Sequence, residues 1–389
     1  MNIALVLLTY NPDEPAGVER AVASLADGLR ELGHRAVIIA AGPAGEDDDE
    51  NLLRLPTLNL PRPVQFDEEQ RLLTEHEPLR REILTLLDQH RIDVVCWSDA
   101  VVGLGFLSPA PAEVRTALMV HFLRVDEPMR ESLAHGPDAV LAVSPFMIEE
   151  AARAGLDSSG WHALPNALLG VGEPPPPEER ERLRRTGPVR VVARADPSKG
   201  VAELLRAHPD GWGRPVQVVL AAAGFELWPG MQDDVFEECR ALAGNRPDIE
   251  ILPPLAWDEV QPFLAGAAVT LVPSTSPETF GNVPAESLSV GTPVVGYGFG
   301  HLPALAGPAG RLVGLDVVSG FGHLPALTGR ALDMVDFAEG PKRLWEATAD
   351  LLADREAYHA AARQAPHQVA EHTPAAVAAA FLRATLGTA

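Results

Sequence analysis

The stretch Pro277-Glu278-Thr279-Phe280-Gly281-Asn282-Val283-Pro284-Ala285-Glu286-Ser287-Leu288-Ser289-Val290-Gly291-Thr292-Pro293-Val294-Val295-Gly296 decides how the chain is read. Just before it, Ala267-Ala268-Val269-Thr270-Leu271-Val272-Pro273 is an unbroken apolar run. Such a run is the pattern of a parallel strand covered on both faces. Gly281-Asn282 then reads as a strand-to-helix turn, which puts Glu286 on the helix that follows. The N-terminal amides of that helix face the same crevice as Glu278. Carboxylates there suit a ligand rich in hydroxyls, and free amides suit phosphates or sugar oxygens. The combination points to a nucleotide-sugar site.

Working outward, strands alternate with helices along the whole chain. Asn2 to Leu8 reads as a first core strand, followed by a loop from Tyr10 to Ala16. The helix opening at Gly17-Val18-Glu19-Arg20 lines up Val18, Ala21, Val22, Leu25, Leu29 and Leu32 on one face and ends at Gly33. Further strands are expected at 35–40, 92–97, 116–120 and 139–143. Between Gly170 and Pro188 the character changes to four prolines, Pro174 to Pro177, and a charged run ending near Arg185. This reads as a proline-stiffened linker. A second alternating series follows at 189–193, 216–220, 249–252 and 269–272, ending at Val294-Val295. The fold class is therefore α/β, with two Rossmann-like doubly wound domains facing across a crevice at the strand C-termini. The expected boundaries are 1–168, a linker at 169–187, and 188–373, with a helix in 374–389.

Bulk properties narrow the function. At 389 residues the chain is too long for one ordinary core. A hydrophobic content of 46% and a charged content of 22% are globular values. The formal net charge of -23 argues against nucleic acid and against docking on anionic lipid, both of which need clustered basic residues. Only two of the 31 basic residues are lysines, Lys199 and Lys342, a bias fitting a GC-rich genome that singles out Lys199. Cys96 and Cys239 form neither a disulfide framework nor a zinc motif. That cysteine usage fits a reduced, cytoplasmic setting, and the apolar N-terminus, which has no basic leader and runs into a helical pattern, reads as a first core strand and not a signal peptide.

With these residues in place, the chain resembles the family 4 glycosyltransferases of the GT-B fold, retaining enzymes that use nucleotide sugars. The segment from Glu278 to Gly291 looks like the family's E-x7-E motif. Val192-Ala193-Arg194-Ala195-Asp196-Pro197-Ser198-Lys199-Gly200 is similar to its G-R-x-x-x-x-K-G. Weaker parts are Ala16-Gly17-Val18-Glu19-Arg20, His121 at a strand end, Ser144, and Leu164-Pro165-Asn166.

The resemblance implies roles. Arg194 and Lys199 would grip the donor diphosphate and neutralise the charge that grows on it. Glu286 would accept hydrogen bonds from the ribose, and Glu278 would meet the sugar. Amides of Phe280, Gly281, Asn282 and Val283 would contact the sugar and distal phosphate. Backbone near Leu252 would read the base. His121 would stand on the acceptor side, Gly17 would let the first loop approach closely, and Glu19 is either an acceptor contact or a solvated acid. The last helix would cross back to the N-terminal domain. No metal or cofactor is implied beyond the nucleoside-diphosphate sugar donor and a small-molecule acceptor.

Plainer readings remain beside these. Glu286 also suits a helix surface, Glu278 also suits a charge at a helix N-terminus, and a lone His is more often structural. Asp47-Asp48-Asp49 contains D-x-D, yet it lies in an acidic run best read as solvated. Gly298-Phe299-Gly300-His301-Leu302-Pro303-Ala304-Leu305-Ala306-Gly307 recurs with one change at 320–329, read as a surface duplication or a lid. Ala193 replaces the family's glycine. The sequence leaves open the donor base and sugar, the acceptor, monomer or homodimer, and a rival epimerase, hydrolase or non-catalytic binder. A role in secondary metabolism fits the composition.

Overall fold

The computed structural model describes residues 1–387 apart from 12–16, 43–47, 66–67, 69–70, 73, 109–110, 171, 315–316, 322–332 and 336–338. The first half carries β1 (Asn2–Thr9), β2 (Arg35–Ala41), β3 (Leu52–Arg54), β4 (Val64–Gln65), β5 (Val94–Trp97), β6 (Arg115–Val120), β7 (Ala139–Ala142) and β8 (His162–Ala163). All but β4 form one parallel sheet in the order β3-β2-β1-β5-β6-β7-β8. The second half carries β9 (Val189–Arg194), β10 (Val216–Ala221), β11 (Phe225–Glu226), β12 (Ile249–Leu252), β13 (Val269–Val272), β14 (Val294–Tyr297) and β15 (Gly310–Val313). All but β11 form a second sheet, ordered β12-β10-β9-β13-β14-β15. The α/β fold with two doubly wound halves is therefore as expected.

The central strands are apolar on both faces because helices cover both sides. Ile3 to Leu7 and all of β13 and β14 are buried. Helix Gly17–Glu31 packs on β2 and on the last helix, Pro374–Leu386, which also touches β6 and β7. The chain's end thus returns to the first half. There Phe381 and Val377 join a core that runs on through Phe280, Ala285 and Leu288 of the second half.

Four expectations need correction. Leu32, placed on the apolar face of the first helix, is 41% exposed, because the helix ends at Glu31. The 170–188 stretch is not linker throughout: Pro177–Thr186 is a helix. Proline is favoured in a first helical turn, where its missing N–H costs no hydrogen bond. The second strand series does not end at β14, since β15 adds an edge beyond it. Finally, the first repeat copy is neither surface loop nor lid. Its helix Leu302–Ala306 buries Leu302, Leu305 and Ala306, and the His301 amide donates to the Glu278 carbonyl at 2.8 Å. The second copy lies largely outside the described residues. Among the described residues no helix is long and apolar enough to cross a membrane.

Candidate active site

The site is built from two turns that dock on each other. β9 ends at Arg194, and Asp196 then accepts the Ser198 amide at 2.8 Å, folding Pro197–Lys199 into a single tight turn. Gly200 follows at φ +66°, where an added Cβ would lie 2.2 Å from the Pro273 carbonyl oxygen. Only glycine lets this turn sit on the end of β13. The Thr275 amide closes the junction by donating to the Ser198 carbonyl at 2.8 Å. Lys199 is thereby delivered to Glu278, Nζ to Oε1 at 2.6 Å. The Ser274 hydroxyl donates to the same oxygen. Burial works to raise the Glu278 pKa, but the charge and hydrogen bond of Lys199, the Ser274 hydroxyl and the Arg194 charge hold it below its ordinary value. The carboxylate is therefore ionised at neutral pH. Arg194 is tethered to Asp196 at 3.3 Å, with its side chain 37% exposed.

Next comes the helix Asn282–Ser289, entered through Gly281 at φ +96°. Its first-turn amides have no carbonyl inside the helix to satisfy them. Phe280 is buried, with its ring 6.1 Å from that of His301 and 5.5 Å from that of His372. Its side chain is thus core, and only its backbone is left for a ligand. Val283 packs toward Val260, Leu264 and Val290, and Leu252 ends β12 half-buried. Asn282 faces the other half of the molecule. Its Nδ2 donates to the Gly17 carbonyl at 3.0 Å, and its Oδ1 accepts from Asn166 at 3.0 Å. A Cβ on Gly17 would lie 2.9 Å from that Nδ2, so the glycine permits this approach. The Ser144 hydroxyl spans the same gap to the Thr279 carbonyl at 2.5 Å. Glu286 is buried and ion-paired with Arg20 of the first helix, with Oε2 left without a partner.

On the facing half, His121 is buried just past β6. Burial lowers its pKa to about 4, so the ring is neutral, and its Nε2 has no partner. The backbone at this point is fixed by Asp99, whose Oδ2 accepts the amides of His121 at 3.0 Å and Phe122 at 3.1 Å. Asp99 itself sits at φ +147°, an uncommon conformation for a side-chain-bearing residue. Burial raises its pKa to about 6, against the pull of those amides. Glu19 is not a solvated acid. It is buried and takes the Thr9 hydroxyl at 2.8 Å and the Asn11 amide at 2.6 Å, clasping the turn after β1. Asp48 of the acidic run is also not freely solvated, because Arg54 holds it at 2.7 Å. Asp47 lies outside the described residues.

The motifs thus bring Arg194, Lys199, Glu278 and the 280–283 backbone together at one end of the second sheet. Glu286 and Gly17 meet the opposite half. Three contributors carried no reading in the sequence. Arg20 was quoted only as part of a motif, and Ser274 and Asp99 stand at strand ends, where position was the only available signal.

Comparison with known proteins divides at the same place as the fold. The family model described as Glycosyltransferase Family 4 matches residues 15–168, and that described as Glycosyl transferases group 1 matches residues 189–322. The chain belongs to the group 1, family 4 glycosyltransferases. Solved structures agree on the GT-B architecture. Sucrose-phosphate synthase from Thermosynechococcus elongatus superposes with a TM-score of 0.70 at 17% identity, covering 100% of this chain and 99% of that one. Anabaena Alr3699/HepE in complex with UDP and glucose gives 0.68 at 17% identity, with the same coverage. A D-inositol 3-phosphate glycosyltransferase from Acidothermus cellulolyticus is 35% identical over 137 residues, 32% of this chain and only 29% of that relative's length. For this glycosyltransferase, then, family and fold are firm, and the distant structural likenesses speak to fold alone.

Proposed function

We propose that the protein is a retaining, metal-independent glycosyltransferase that moves a hexose-type sugar from a nucleoside-diphosphate sugar to a small-molecule acceptor. The observation carrying this reading is the meeting of Lys199, Arg194 and ionised Glu278 beside free helix-start amides. When the anomeric bond breaks, its electron pair goes to the diphosphate. Two cations held at that point neutralise the new charge, a task a divalent ion performs elsewhere. Glu278 meets the sugar, and Glu286 takes the ribose hydroxyls. Neutral His121 hydrogen-bonds the transferred sugar from the acceptor side. Backbone at Leu252 reads the base. Contacts from Ser144 and Asn166 to the donor half lie across the gap. Substrates therefore enter by hinge opening, and closure assembles the site.

UDP-sugars are the first donors to try, since the Anabaena protein was solved with UDP and glucose. Release of nucleoside diphosphate is followed with and without EDTA, and the anomeric configuration of the product is read by NMR. Lys199→Ala and Arg194→Ala are each expected to lower kcat on the order of 10²-fold, as loss of one charge-stabilising donor does elsewhere. Unchanged turnover in both variants would remove the roles given to these cations. Free sugar released equally with and without acceptor would identify a hydrolase instead.

A further inference from the structure

We infer that Arg20 is a positioning residue for Glu286, so that the ribose end of the donor site is completed from the N-terminal half. This rests on the donor-site reading above. Arg20 lies one turn into the first helix, and Glu286 lies one turn into the helix Asn282–Ser289. Their side chains are 10% and 3% exposed, and the Arg20 Nη2 is paired with Glu286 Oε1. The pairing is incomplete, because Glu286 Oε2 and Arg20 Nε are both buried without a partner. A buried carboxylate needs donors on both oxygens to stay ionised at low cost. Arg20 supplies the first, and a ligand hydroxyl is the natural second. A ribose diol brings two hydroxyls of the right kind.

The neighbours keep this geometry in register. Asn282, in the first turn of the same helix, is fixed to the Gly17 carbonyl, and Gly17 begins the helix that carries Arg20. A small cavity lined by Arg20, Ser24, Asn282 and Glu286 adjoins the pair. Arg20 thus sets which carboxylate oxygen is occupied and which is offered. Without it, Glu286 either takes up a proton or turns toward water, and in both cases the charged acceptor for the diol is lost.

The test compares wild type, Arg20→Gln and Arg20→Lys. Each is titrated with UDP, ADP, GDP and CDP, and with the 2′,3′-dideoxy counterpart of whichever binds best. Wild type is expected to bind the dideoxy form about tenfold more weakly, the worth of a hydrogen bond to a charged group. In Arg20→Gln the ribonucleotide should fall to the dideoxy level, with dideoxy affinity unchanged. Arg20→Lys keeps the charge and should show a smaller loss of the same pattern; it carries the comparison should the glutamine variant not fold. If Arg20→Gln keeps the full preference for the ribonucleotide, or loses affinity equally for both forms, Arg20 is only an interdomain clasp and the inference fails. If wild type binds none of the nucleotides, the donor-site reading fails with it.

Discussion

His301 and His372 flank Phe280, directly under the loop that carries Glu278. Burial lowers the pKa of each from 6.5 to about 4, and the Nδ1 atoms have no partner to hold a proton. The folded state thus binds fewer protons than the unfolded chain between those values. Stability is complete above about 6.5 and is lost as pH falls toward 4. Buried His121 adds to the same slope, while Asp99, raised to about 6, opposes it. We expect the urea midpoint to drop between pH 7 and pH 4.5, with His301→Asn flattening the drop. A midpoint that rises on acidification, or an unchanged slope in the variant, would contradict this. At this scale the sequence was legible where spacing encodes chemistry. Lys199-Gly200 and Glu278 could be assigned to one site through the resemblance of their motifs to the family's, although the ion pair between them was not foreseen. Glu19 and Asp99 could not be read, since their partners are backbone amides or a hydroxyl brought close only by folding.

At the scale of elements, the helix Pro177–Thr186 teaches most. It follows a run of prolines and is dense in charge, so composition pointed to linker. Yet the helix signals were present: proline in the first turn, Glu178 and Glu179 after it, Arg184 and Arg185 at the end. What composition hid was Arg180, which is buried and donates to the carbonyls of Ala267 at 2.8 Å, Val290 at 3.1 Å and Ala265 at 3.3 Å. One guanidinium satisfies three carbonyls on two segments flanking β13 and the helix Asn282–Ser289. Arg180→Ala should therefore destabilise the protein by about 3 kcal/mol, from buried acceptors left unmet. Arg180→Lys should recover only part, because a point-like ammonium lacks the fork. Chemical denaturation checks both, and an alanine variant within about 0.5 kcal/mol of wild type, the range of ordinary surface changes, would show the helix to be merely draped on the domain. The strands were the easiest elements to foresee, because burial on both faces leaves an unmistakable apolar run.

Over the whole molecule, two halves were foreseeable because each repeats strand and helix independently. The particular contacts that close them were not, since beside the shared apolar core these are scattered polar ones: Arg20 to Glu286, Ser144 to Thr279, Asn166 to Asn282, and the short β4–β11 pairing. Charge acts at this scale too. The protein carries a formal -23 while the proposed donor is itself an anion. Two electrostatic effects then compete. Arg194 and Lys199 attract the diphosphate at contact distance, but the acidic whole repels it from afar. The Debye length is about 30 Å at 0.01 M salt and about 8 Å at 0.15 M. Salt in this range therefore removes the long-range repulsion while leaving much of the short-range attraction at a partly buried site. We expect kcat/KM for the donor to rise several-fold, about three- to tenfold, between these ionic strengths, the reverse of an electrostatically steered enzyme. The rise should appear in the donor association rate measured by stopped flow and leave kcat nearly constant. A kcat/KM that falls with salt would mean that the field of the cation pair reaches beyond the crevice and outweighs the net charge.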